Sequence, residues 1–243
     1  MLQPGTVLDG RWKVLRLLGE GGMGAVYLVE NTVLQSRHAL KVLLDMKESR
    51  RARFLDEGRI MANLSHRNIV KVTDLVSTTG PTGGLAGIVM EYVEGPPLDD
   101  WMEGRNGLDP DTCRRALLPL LEAMSYAHKQ GVVHRDLKPS NIIMAQDARG
   151  LRPMILDFGI AKVMEGGVVQ GKAQTETGTA MGTYAYMAPE QIKNAKSADQ
   201  RSDVYALGIL LYEMATGDMA FPQHQTWDLQ HAVVEGRRRP NPD

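Results

Sequence analysis

Short apolar runs separated by polar, glycine-bearing joints dominate the first ninety residues. Arg11 to Leu18 alternates imperfectly between apolar and charged positions and predicts a strand. Ala25 to Val29 is rich in β-formers and predicts a second; His38 to Leu44 predicts a third. At Glu48 to Leu64 the period changes, and Phe54, Glu57, Met61 and Leu64 fall on one face of a helix. Leu64 to Val70 ends that helix and begins another strand. Thr78 to Gly87 holds four glycines and a proline and predicts a loop, followed by a strand from Ile88 to Val93. Glu94-Gly95-Pro96-Pro97 marks the sharpest change in composition, and the chain beyond it turns helical. Asp111 to Gln130 places Leu117, Leu120, Leu121, Met124 and Ala127 on one face, with Pro119 expected to kink the helix and Gly131 suited to close it. Met154 to Leu156 predicts a strand after a turn at Gly150. Ser202 to Met214 predicts an apolar helix and Leu229 to Val234 a short one.

Polar groups that interrupt these patterns carry the chemistry. Lys41 sits inside an apolar run, where an unpaired ammonium is costly. Glu57 sits on an apolar stripe, where a carboxylate wants a cation. Each answers the other's need; the alternatives are a solvated strand face and an edge glutamate. Gly58 costs a helix roughly 1 kcal/mol relative to alanine, and nothing in the sequence explains it. Gly19-Glu20-Gly21-Gly22-Met23-Gly24 would let backbone amides approach phosphate without a Cβ in the way. That spacing also fits a dinucleotide-binding turn, but such a turn opens a helix, whereas β-formers follow here; a plain hairpin is the other alternative. His134-Arg135-Asp136-Leu137-Lys138-Pro139-Ser140-Asn141 lies between two apolar runs, and so in a loop. Asp136 can accept a proton from a hydroxyl, Lys138 can neutralise phosphate charge, and Asn141 can bind a metal through its amide oxygen. That set suits phosphoryl transfer.

Composition narrows the setting. The chain has 243 residues, 43% hydrophobic and 23% charged, enough for one large domain or two small lobes. A net charge of −1 argues against a nucleic-acid footprint. Cys113 is the sole cysteine, so an intrachain disulfide is excluded and a reducing cytoplasm fits. No apolar run approaches the roughly 18 residues of a membrane span, and the N-terminus lacks the pattern of a signal peptide.

The octet around Asp136, the glycine-rich stretch, Lys41, Glu57 and Asp157-Phe158-Gly159, which follows Asp136 by 21 residues, together resemble the eukaryotic-like serine/threonine protein kinases. The wording is closest to bacterial members, and the resemblance runs from about Leu8 to Arg239. It implies an α+β, bilobal protein kinase fold: a small antiparallel β-sheet N-lobe over 1–93, a mostly helical C-lobe over 94–243, and ATP between them. It implies catalytic roles for Asp136, Lys138, Lys41 and Glu57, with Lys41 on the α/β-phosphates and Glu57 orienting it. Leu18, Gly19, Glu20, Gly21, Gly22, Met23, Gly24, Val26, Ala39, Lys41, Glu91 and Val93 would contact ATP, with Met90 as gatekeeper. Asn141 and Asp157 would hold Mg²⁺.

The same resemblance makes Gly166 to Glu190 an activation segment ending in Ala188-Pro189-Glu190. Thr175 and Thr177, before Thr179, are the expected autophosphorylation sites, with Arg135 as the partner of a phosphothreonine. Lys138 and Thr183 match the serine/threonine-specific pattern. Asp203 reads as an N-cap or, by resemblance, as an anchor of the catalytic-loop backbone. Kinases of this type carry two more helices and a late arginine for the A-P-E glutamate. Glu190 is therefore expected to lack a partner, and the C-lobe to be short, a fragment or one completed by a partner. The expected partners are a protein substrate and either a second copy of the chain or an activating protein, with no nucleic acid and no membrane span. The rival readings are a nucleotide-binding pseudokinase or scaffold and a small-molecule kinase of the same fold.

Overall fold

The computed structural model describes residues 1–21, 24–43, 48–78, 84–158, 184–194, 197–222 and 226–238. The chain divides into two compact units, Met1–His66 with Val70–Val93, and Arg67–Ile69 with Glu94–Asp243.

The first unit is an antiparallel sheet with one helix. Strands β1 (Val7–Leu8), β2 (Trp12–Gly21), β3 (Gly24–Asn31), β4 (Arg37–Leu43), β5 (Val72–Thr78) and β6 (Leu85–Glu91) lie in the order β1-β2-β3-β4-β6-β5. The register places Val26, Lys41 and Ile88 side by side, and Leu28, Ala39 and Met90 likewise. Side chains alternate along a strand, so these six share one face. The opposite face, including Trp12, Val14, Tyr27, Leu40, Val42 and Val89, forms a buried hydrophobic core.

Helix α1 (Glu48–Ala62) packs on β5 and β6. Phe54, Glu57 and Met61 are buried on it, as the spacing predicts, and Leu64 is buried just past its end. The helix lies on the Lys41 face of the sheet, because a Cβ built on Gly58 would stand 2.5 Å from Leu75 Cδ2 and 3.1 Å from Ile88 Cγ1. Gly58 thus has a reason that no local pattern reveals: only a residue without a side chain lets the helix come this close. The strand expected from Ile88 begins earlier, at Leu85, and the one expected by Val70 begins at Val72.

The second unit holds α2 (Leu98–Met102), α3 (Pro110–Lys129), a 3₁₀ turn (Pro139–Asn141), the hairpin β7 (Ile142–Asp147) with β8 (Gly150–Ile155), α4 (Pro189–Lys193), α5 (Gln200–Thr216) and α6 (Thr226–Glu235). Asp109 caps α3 by accepting from Thr112 N at 3.0 Å, with Pro110 in the first turn. Gly131 follows the helix at φ +76°, the left-handed closure that glycine permits. α3 packs on β8 and α5. Leu121, expected on its buried face, is 39% exposed: the stripe that meets β8 and α5 is narrower than the apolar pattern. Cys113 is buried on α3. Asp199, not Asp203, caps α5, accepting from Arg201 N at 2.8 Å. No helix among the described residues is long and apolar enough to cross a membrane.

Candidate active site

The loop ahead of the 3₁₀ turn is held from below by α5. Asp203 sits in its first turn, 1% exposed. Its carboxylate accepts from His134 N at 2.9 Å and from Arg135 N at 2.8 Å, and a third bond joins it to His128 Nε2 at 2.7 Å. Of the two readings of Asp203, the structure bears out the anchor and discards the cap. An ionised acceptor gives such bonds roughly twice the strength of neutral ones.

His134 is fully buried, its ring against Phe158 with centroids 4.7 Å apart. Burial pushes its pKa down, outweighing the opposite pull of Asp203 and Asp136. The ring is therefore neutral, and its neighbours assign the tautomer. Nε2 meets the Leu156 carbonyl at 2.9 Å, which can only accept, so Nε2 carries the hydrogen. Nδ1 then accepts from Asp136 N at 3.3 Å. One imidazole thus ties the backbone before Asp157 to the backbone of Asp136.

Asn141 closes the loop. Its Nδ2 donates to Asp136 O at 2.7 Å and to Asp136 Oδ2 at 3.3 Å. Its backbone N–H meets Lys138 O at 3.0 Å, and its carbonyl accepts from Leu156 N at 2.8 Å. Asp136, Lys138, Asn141 and the approach to Asp157 are therefore one bonded cluster. Asp157 has φ +33° and Arg135 φ +65°, a region that costs a side-chain-bearing residue strain and recurs at functional sites. Asn68, buried, braces the hairpin through Nδ2 to Pro153 O at 2.7 Å.

The segment Ala188-Pro189-Glu190 leads into α4. Gln191, 8% exposed, accepts from Ala188 N through Oε1 at 3.0 Å and donates through Nε2 to Arg135 O at 2.9 Å. Glu190, expected to lack a partner, accepts from Ser202 Oγ at 2.9 Å and interacts electrostatically with Arg201; both belong to the first turn of α5. Tyr186 donates to Glu213, whose carboxyl burial pushes upward in pKa, and burial pushes the Tyr205 phenol up to about 12.

In the first unit, Lys41 lies on the same sheet face as Val26 and Ala39, with α1 and its buried Glu57 packed on that face. Gly19 pairs with Val26 and Gly21 with Gly24; Glu20 lies between them and Leu18 precedes them on β2. Glu91 closes β6 beside His38 and accepts from Lys71 N at 2.9 Å, and Val93 is half-buried. Gly22, Met23, Thr175 and Thr177 lie outside the described residues.

Sequence reasoning missed His128, Gln191 and Ser202. Only Gln191 left a local trace: a glutamine three residues past the N-cap position, Ala188, the reach-back half of a capping box.

The chain belongs to the protein kinase family. The model of the protein kinase domain matches residues 12–240. The chain is 39% identical over 238 residues to serine/threonine-protein kinase pkn2 of Myxococcus xanthus, covering 96% of this chain and 28% of that one. It is 40% identical over 224 residues to the DNA damage-responsive serine/threonine-protein kinase RqkA of Deinococcus radiodurans (90% and 32%), and 36% identical over 220 to serine/threonine-protein kinase PrkC of Bacillus subtilis (89% and 32%). It spans about a third of the length of these relatives. Among solved structures, Rad53 1-466 in complex with AMP-PNP matches with a TM-score of 0.74 at 26% identity, over 94% of this chain and 54% of that one. The α+β fold is that of the family.

Proposed function

We propose that this chain is the catalytic domain of an ATP-dependent serine/threonine protein kinase, regulated by autophosphorylation at Thr175 and Thr177. The observation that carries the reading is the pinned Asp136. Its backbone is fixed through its neighbours by Asp203, and its carboxylate is oriented by Asn141 Nδ2. Asp136 receives the proton of a serine or threonine hydroxyl as that oxygen bonds to the γ-phosphorus. The β,γ-bridging oxygen leaves with ADP, and Asp136 later returns the proton to solvent. Lys138 offsets charge on the transferring group. Lys41, positioned by Glu57, and the glycine-rich turn hold the phosphates; Leu18, Val26, Ala39, Met90, Glu91 and Val93 receive the base.

Mg²⁺ fits the residues present. Asn141 uses its amide nitrogen on Asp136, so its Oδ1 would be the atom offered to a cation, and Asp157, one residue past the Leu156 bonded to Asn141, would supply a carboxylate. Few protein oxygens plus phosphate and water suit magnesium, which would neutralise phosphate charge when bound. The buried lone thiol accords with a cytoplasmic setting. A second copy of the chain is the first candidate for the phosphorylating partner.

Transfer of labelled γ-phosphate to casein and to the chain itself tests the reading. Asp136→Asn is expected to lower it by about 10²–10⁴-fold; intact-mass measurement should show added phosphate, and peptide fragmentation should put it on Thr175 or Thr177. Nucleotide binding with no transfer by the unmodified chain would leave a scaffold. Transfer to an aminoglycoside hydroxyl but to no protein would leave a small-molecule kinase.

A further inference from the structure

We propose that Gln191 is a positioning residue, one that ties the peptide-docking end of the activation segment to the backbone of Arg135 and so sets the aim of Asp136. The proposal rests on the kinase reading above and deepens it. Arg135 holds φ +65°, a conformation that persists in a side-chain-bearing residue only where the surroundings impose it. Two side chains impose it here. Asp203, on α5, takes the Arg135 N–H at 2.8 Å. Gln191, on α4, takes the Arg135 carbonyl at 2.9 Å, and its other amide atom holds Ala188 N at 3.0 Å.

Arg135, Asp136, Tyr186, Gln191 and Asp203 line a small recess that opens to solvent, so directional bonds contribute to where the loop stands. Gln191 is itself buried, with both ends of its amide engaged. Its bond to Arg135 spans 56 positions of chain, and its bond to Ala188 lies one residue before Pro189. Loss of Gln191 frees the carbonyl directly before Asp136. The shift then passes to Asn141, which is bonded to the carbonyl and carboxylate of Asp136. The phosphate-side residues of the first unit are untouched by it, so the rate should fall while nucleotide affinity holds.

Gln191→Met keeps the length and apolar body and removes both bonds. Its kcat toward casein is expected to drop about 10–100-fold with the KM for ATP within about twofold of wild type, the range a small misplacement of a reacting group produces. Gln191→Glu is the rescue. Protonated, it donates to Arg135 O and accepts from Ala188 N; ionised, it cannot donate. Its kcat relative to wild type should therefore climb as pH falls from about 8 to about 6, since burial raises a carboxyl pKa into that range. A space-filling role would leave that ratio flat. Hydrogen exchange at the Arg135 and Asp136 amides of the nucleotide-free protein should quicken in Gln191→Met. Unchanged kcat and exchange in Gln191→Met, or a flat ratio for Gln191→Glu, overturns the proposal and leaves the kinase reading standing. No transfer by the wild type, with exchange still quickened in Gln191→Met, removes the kinase reading and keeps the coupling.

Discussion

The two units hold their key residues by different means. In the sheet unit, Lys41 is placed by register and Glu57 by helical period, both backbone properties shared with dozens of neighbours. In the helical unit, the Asp136 loop is placed by single side chains reaching across the chain: Asp203 to His134 over 69 positions, and Gln191 to Arg135 over 56. A ladder spreads the consequence of one change over many bonds. A loop hung on a few buried bonds concentrates it.

The contrast can be broken most sharply at Asp203. Asp203→Ala leaves two backbone N–H groups and His128 without their acceptor in a nearly dry place. A loss of about 3–5 kcal/mol is expected in urea unfolding, together with loss of phosphoryl transfer; Asp203→Asn should cost less, since it keeps one acceptor oxygen. Lys41→Met is the counterpart in the sheet. Transfer should fall on the order of 10²-fold, and the unfolding midpoint should move less than in Asp203→Ala, because the ladder that sets the register does not use that side chain. A stability loss at Lys41 as large as that at Asp203, or none at Asp203, would erase the distinction.

A smaller effect separates two mid-helix glycines. Gly58→Ala should destabilise by about 1–3 kcal/mol, because crowding against Leu75 and Ile88 outweighs better helix propensity. Gly208, on α5, has nothing within 4 Å of a built Cβ, so Gly208→Ala should stabilise by up to about 1 kcal/mol. Thermal melts of the pair give the sign of each.

The gentlest probe is pH. Burial holds the folded pKa of His134 below the ordinary 6.5, so the folded chain binds that proton less readily than the unfolded one. The stability linked to His134 is complete above 6.5 and is lost as pH falls through the depressed folded value. His134→Gln should flatten that part of the urea midpoint's pH dependence; identical slopes in the two proteins would exclude the assignment.

These cases also mark how far the chain could be read without coordinates. Lys41, Glu57 and the Asp136 octet stand out because each violates a local pattern, and a violated pattern is visible at short range. The face shared by Phe54, Glu57 and Met61 follows from spacing alone. What stayed hidden is which distant group answers each need. Asp199 and Asp203 stand four apart at the start of one helix, and only tertiary structure makes the first a cap and the second an anchor. Glu190 asked for a late cation, and α5 answers with the Ser202 hydroxyl and the charge of Arg201. Gly58 reads as a defect until the sheet beneath it is known. Leu121 satisfies the apolar period and still faces solvent, because its neighbours cover less of α3 than the pattern permits.

Cys113, packed inside α3 with its thiol toward the Leu108 carbonyl, has a practical consequence. A thiol-reactive dye should leave the native chain unmarked. A cysteine introduced at exposed Ser140, between Lys138 and Asn141, would then take the dye alone and let fluorescence report on the catalytic loop with no background to subtract.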